Sequence, residues 1–176
     1  MNSSLLKQLD ESFVYWMMEL DQYPINQFLY KPDQHSWCLG QLYNHLIEQS
    51  EFYLQQIEIC LGNQENLSGA MNAAGKSMFL HNSFPDLQIK GPASNDATPS
   101  PENTDACLQK LKTLRKKYQD TAREVDTLTV SGKTRHPGLG YFNAAEWVQF
   151  ASMHFQHHLR QKRRIEECLQ SIFIQS

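Results

Sequence analysis

Residues 143–167 read "NAAEWVQFASMHFQHHLRQKRRIEE", and the period of this stretch decides the fold. Trp147, Ala151, His154, His158, Gln161, Ile165 and Leu169 follow one another at steps of three and four. That is the spacing of one face of an α-helix, and a strand cannot produce it. The start is marked as well. Asn143 and Glu146 form a capping box, in which the Asn143 side chain accepts from the first turn and Glu146 reaches back to the Asn143 N–H. A helix is predicted from there to about Ile172.

His154 and His158 lie four residues apart on the buried stripe, about 6 Å apart along the axis and leaning the same way. His157 falls about 100° away, which puts it at the edge of the stripe or outside it. Two readings of the inward pair stand. They are core histidines with private partners, or they share something that needs imidazole. A buried polar group without a partner costs about 1–3 kcal/mol. Two imidazoles at this spacing can reach one metal ion, as the i, i+4 pair of a zinc-protease helix does.

Three other stretches have helical period. The first, from Ser3 to Leu20, lines up Leu5, Leu6, Leu9, Phe13, Trp16 and Leu20 and stops before Pro24. The second is predicted from Ser36, a good N-cap, to Leu61, with Gly62 as its stop. Its stripe uses Leu39, Leu42, Leu46, Tyr53 and Ile57, with His45 beside it. The third is predicted to start near Ser100-Pro101 and to be buried through Leu108, Leu111, Leu114, Tyr118 and Val125.

No strand alternation of useful length is legible, although "DTLTVSG" (126–132) could pair briefly. The 62–99 connection is long and rich in Gly, Asn, Ser and Pro. Such a crossover lets the third helix run parallel to the second, where a tight turn would force it antiparallel. The expected fold is therefore all-α: a four-helix bundle with a long crossover between helices 2 and 3, in a single domain spanning 1–176. If helices 2 and 4 are neighbours, His45 can face His154 and His158. Three imidazoles with remaining positions left to water describe an open metal site. Gln161 could then hold a ring N–H or a water beside it.

The composition narrows the function classes. With 176 residues, 40% hydrophobic and 11% aromatic, the chain is globular in character. A net charge of -3 gives no reason to expect nucleic acid or an anionic membrane as partner. No apolar run is long enough for a membrane span, and the first residues lack the pattern of a signal peptide. The four cysteines are scattered, with no C-x-x-C, which fits a reducing, cytoplasmic setting. H-E-x-x-H, Glu-x-x-His, Walker A, Rossmann and G-x-S-x-G patterns are all absent. His35, His81 and His136 read as surface or turn residues. The basic run at 110–118 reads as a solvated helix face.

The segments "HSWCLGQLYNHLIEQSEFY" (35–53), "RHPGLGYFNAAEWVQF" (135–150) and "HFQHHLRQ" (154–161) resemble the DinB/YfiT-like superfamily of small bacterial metal-binding four-helix bundles. The resemblance rests on Trp37, His45, His154, His158 and Gln161, and "MFLHNSFPDLQIKGP" (78–92) is similar to the crossover of one branch. Leu159-Arg160 stands where many relatives have Arg-Gly. The resemblance implies a divalent metal, nickel or zinc, on His45, His154 and His158. It also implies a small-molecule substrate and a homodimer. Some relatives use a low-molecular-weight thiol in transferase or isomerase reactions, so hydrolysis and thiol transfer both remain open. Arg160 and Lys90 are the candidates to meet the carboxylates of such a thiol. The alternative is a non-catalytic, stress-responsive metal-binding protein.

Overall fold

Each of the four periodic stretches is helical in the computed structural model, which describes residues 3–33, 36–85, 98–127 and 130–173. In chain order the elements are α1 (Ser3–Glu19), a 3-10 turn (Leu20–Gln22), α2 (Ile25–Phe28), α3 (Leu39–Leu61), α4 (Ala73–His81), α5 (Thr104–Thr127), β1 (Lys133–His136), β2 (Gly140–Asn143) and α6 (Ala144–Phe173). The four predicted helices are α1, α3, α5 and α6.

The apolar stripes meet in a bundle. α6 packs against α1 and α3, α5 packs against the same two, and α1 and α3 lie across the diagonal. Phe13 of α1 meets Phe155 of α6 edge-on at 4.8 Å, and Trp16 meets Tyr43 of α3 at 5.1 Å. Buried hydroxyls find backbone partners, as burial demands. The Tyr43 hydroxyl donates to Trp16 O at 2.9 Å, and the Tyr118 hydroxyl donates to Ser50 O at 2.8 Å.

The direction of α5 follows from its contacts with α3. Ser100, just before α5, lies beside Cys38 at the start of α3, while Tyr118 reaches Ser50 further along. The two helices run parallel, which is what the long crossover permits. α6 is antiparallel to α3, because His154 faces His45 while Trp147 lies against Tyr53.

Two helix starts differ from the sequence reading. α3 begins at Leu39, capped by Cys38, whose Sγ accepts from Gln41 N while the Gln41 side chain returns to the Cys38 N–H. Ser36 is engaged elsewhere, bonded through its N–H and its hydroxyl to the Asp33 carboxylate. α5 begins at Thr104 because Asn103 Oδ1 accepts from Ala106 N at 2.8 Å. Pro101 instead lies over Gly40, where an added Cβ would meet its ring at 2.9 Å.

The capping box at the head of α6 forms as the sequence predicts. Glu146 N donates to Asn143 Oδ1 at 2.8 Å, and Asn143 N donates to Glu146 Oε2 at 2.7 Å. Asn143→Ala is expected to lower stability by about 1 kcal/mol, read from the urea midpoint. An unchanged midpoint would show that α6 starts on packing alone.

The sequence reading omits α4 and the hairpin of β1 and β2. The strands pair antiparallel, with Lys133 opposite Asn143 and His136 opposite Gly140. Residues 130–132, once candidates for pairing, lie outside both strands, and 128–129 are not among the described residues. Gly140 has φ +92°, and a Cβ there would sit 2.5 Å from Ala70 O, so the close approach of the 70–72 segment requires glycine. Tyr141 N donates to Ala70 O and Asn72 N to Leu139 O, which ties the hairpin to the lead-in of α4.

Candidate metal centre

The fold places His45, in the first third of α3, opposite His154 and His158 on α6. Ring centroids lie 5.3 Å apart for His45 and His154, 4.9 Å for His45 and His158, and 4.4 Å for His154 and His158. One nitrogen from each ring falls within 4.8 Å of the other two, and all three residues are buried. The i, i+4 spacing on α6 sets the first pair. Antiparallel packing on α3 supplies the third.

Gln161 determines which nitrogen of His158 faces the cluster. His158 Nδ1 lies 2.9 Å from Gln161 Oε1, a carbonyl that can only accept, so the ring proton sits on Nδ1. Nε2 then carries a lone pair and lies 3.0 Å from His154 Nε2. Two nitrogens bound to one tetrahedral ion at about 2.0–2.1 Å lie about 3.4 Å apart. The spacing of this pair is therefore within a small adjustment of a shared ion, and the donor set, three imidazoles, suits a borderline metal such as zinc or nickel.

Burial keeps the rings neutral. It lowers His45 to about 4, with the His157 ring adding to the effect. It lowers His158 to about 3, assisted by His45 and opposed by the bond to Gln161. His154 is pushed well below its ordinary value by burial first and by the neighbouring histidines second. Near neutral pH each ring has a lone pair to offer, which a metal ligand must have.

The surroundings are aromatic. Trp37 lies against His45 at 5.2 Å, and Tyr53 meets His154 edge-on at 5.5 Å. Phe84, which follows α4, approaches His154 at 6.0 Å and stacks on His157 at 4.8 Å. His157 is half-buried at the edge of the stripe, outside the cluster, and its Nδ1 has no hydrogen-bond partner among the described residues.

Arg160 is exposed on α6, and Lys90 and His35 lie outside the described residues. His81 is exposed and turned to Ser77 O on its own helix. His136 stands in β1, half-buried, stacked on Phe142 at 5.5 Å and edge-on to Phe150 at 5.0 Å, outside the cluster. Sequence reasoning missed the role of Phe84. Nothing in a Gly- and Asn-rich connection marks which of its aromatics will meet the last helix.

Lys162 sits in the basic stretch that follows the histidines, yet it is 2% exposed, and its ammonium donates to Glu19 Oε2 at 2.6 Å and to Glu166 Oε1 at 2.7 Å. Tyr23 donates to the same Glu166 oxygen. Among the described residues no helix is long and apolar enough to cross a membrane.

Comparison with curated proteins and with solved structures returns no match. A family model described as the DinB superfamily matches residues 7–161, a span that begins in α1, ends at Gln161 and includes all three histidines. With the bundle, the crossover and the histidine cluster in place, the chain belongs to the DinB superfamily.

Proposed function

We propose that His45, His154 and His158 hold one divalent cation, nickel or zinc, and that the chain is a metal-dependent hydrolase or low-molecular-weight-thiol transferase acting on a small electrophile. The observation that carries this reading is the convergence of three buried, neutral imidazoles within 4.8 Å, a donor set with no carboxylate or thiolate. Three protein ligands leave a divalent ion a position for water or substrate, which distinguishes catalytic from structural sites. When bound, the ion supplies Lewis acidity, lowering the pKa of a coordinated water or thiol toward neutrality.

The chain's own residues do the rest. Gln161 fixes the His158 tautomer through Nδ1–H. Tyr53, buried edge-on against His154, shields the core side of the cluster from bulk water and strengthens the electrostatics inside it. Arg160, exposed on α6 in the turn that follows the histidines, is the proposed contact for an anionic group on a substrate or thiol. The reading extends to a single domain over 1–176, a cytoplasmic homodimer and a small-molecule partner.

The test is an electrophile screen with metal-loaded, tag-free protein, run with and without a thiol and with chelator controls. Thiol-dependent consumption that stops on chelation supports transfer. Consumption without thiol supports hydrolysis. Stable metal binding with no turnover in either arm sinks the enzymatic part and leaves a metal-binding protein.

Acid should weaken the metal-free fold. The histidine pKa values are lowered in the folded chain, to about 4 for His45 and about 3 for His158, from an ordinary 6.5. The unfolded chain therefore binds more protons across that window, and stability falls as pH drops. Urea midpoints of metal-free protein are expected to decline from pH 6.5 towards pH 4. A flat profile would mean that the rings are solvated.

A further inference from the structure

Each histidine of the cluster is buried, yet each has a neighbour that is only half-buried. Trp37 lies against His45, Phe84 against His154, and both His157 and Gln161 against His158. Tyr53, by contrast, is 4% exposed and closes the core side at His154. The histidines themselves keep 6–7% of their surface open. Among the described residues, the route from solvent to the cluster therefore passes by Trp37, Phe84, His157 and Gln161.

Three of those four residues present flat rings. Phe84 and His157 are stacked, with centroids 4.8 Å apart and planes 27° apart, so one wall of the route is a double layer of rings. Trp37 stands just before α3, against His45. None of the four is a carboxylate or an ammonium. The charges that act on the His157 edge are the guanidinium groups of Arg160 and Arg164, so a cationic, strongly hydrated ligand would lose water here without gaining a counter-charge. A flat apolar body would gain ring contacts on both sides.

We infer that the ligand of this site is a small molecule with a planar, aromatic or conjugated body and one polar end, admitted between Trp37 and the Phe84–His157 stack. Trp37 and Phe84 are then specificity residues, setting which molecules reach the cluster. The polar end is directed to the three histidines.

This inference rests on the proposed metal site, and the experiment separates the two. Tag-free protein is loaded with cobalt(II), its cobalt content is measured, and its visible spectrum is titrated with imidazole and with 4-phenylimidazole. These probes share the same donor nitrogen and differ by one aromatic ring. The phenyl probe is expected to bind at least about tenfold more tightly, the size of a good ring contact plus its buried area.

Trp37→Leu and Phe84→Leu should shrink that ratio to about threefold or less while leaving cobalt content and imidazole affinity unchanged. Trp37→Phe should restore most of it. A purely structural role would move the melting temperature and both probes together, leaving the ratio alone. Failure to take up cobalt overturns the metal reading itself. Full cobalt uptake with equal affinity for the two probes, or with a ratio that neither leucine variant changes, overturns the aromatic route and spares the metal site.

Discussion

His45→Ala, His154→Ala and His158→Ala are each expected to abolish metal retention through purification, while wild type keeps about one equivalent per chain. Each substitution removes one of three donors and leaves a two-nitrogen site, and no fourth donor joins the set among the described residues. Loss of a residue that only orients a ligand costs about 10–100-fold in affinity, and removing a ligand should cost more. Gln161→Ala belongs to the smaller class, because it frees the His158 ring without deleting its Nε2. His157→Ala should leave the metal in place, since that ring lies outside the cluster. The measurement is elemental analysis of the variants beside wild type. Equal retention in all of them would reject the three-histidine assignment.

The second large effect concerns stability. The Lys162 ammonium is 2% exposed and is held by two carboxylates, Glu19 from α1 and Glu166 from one turn further along α6, whose side chains are 27% and 26% exposed. The rings of Tyr15 and Tyr23 lie 5.5 Å from it. Replacing both carboxylates, Glu19→Gln with Glu166→Gln, leaves a buried cation without a counter-charge and is expected to cost about 3–5 kcal/mol. That is a large share of the roughly 5–15 kcal/mol that holds a domain together.

Lys162→Met should cost less, because the carboxylates it leaves behind can still reach water. Urea unfolding of the two variants gives the comparison. If the double glutamine variant proves no less stable than Lys162→Met, water already solvates the ammonium and the ion pairs contribute little. The clamp joins the end of α1 to the turn of α6 that follows His158. Its loss should therefore appear in the unfolding curve before it appears in metal content.

Much of the site was legible because its spacing is local. His154, His158 and Gln161 follow one another at four and three residues, and a helix turns that spacing into one face whatever surrounds it. The capping box fixed where α6 begins, so the face could be counted from a known start. His45 was legible only conditionally, on α3 lying beside α6. The family resemblance, resting on Trp37 and the histidine pattern, supplied that neighbour.

Lys162 was not legible for a related reason. It lies four residues beyond His158, on the inward side, but a lysine in a run of arginines reads as solvated until its partners are known. One of those partners, Glu19, is on another helix. The caps of α3 and α5 were misplaced because Ser36 and Ser100 are good N-cap types, whereas the bonds that form belong to Cys38 and Asn103. α4 and the hairpin escaped because both are short and draw their stability from one another across the chain.

The sequence by itself determined the four helices, the face each one buries, and the pairing of His154 with His158, since all three depend on contacts within a few residues. Only the tertiary structure decided that His45 completes the cluster, that Phe84 and Trp37 frame it, and that Lys162 is buried between two carboxylates. Those outcomes depend on which helices become neighbours and in which direction they run. That choice is made by the burial of whole apolar faces against each other, and no local window of sequence contains it.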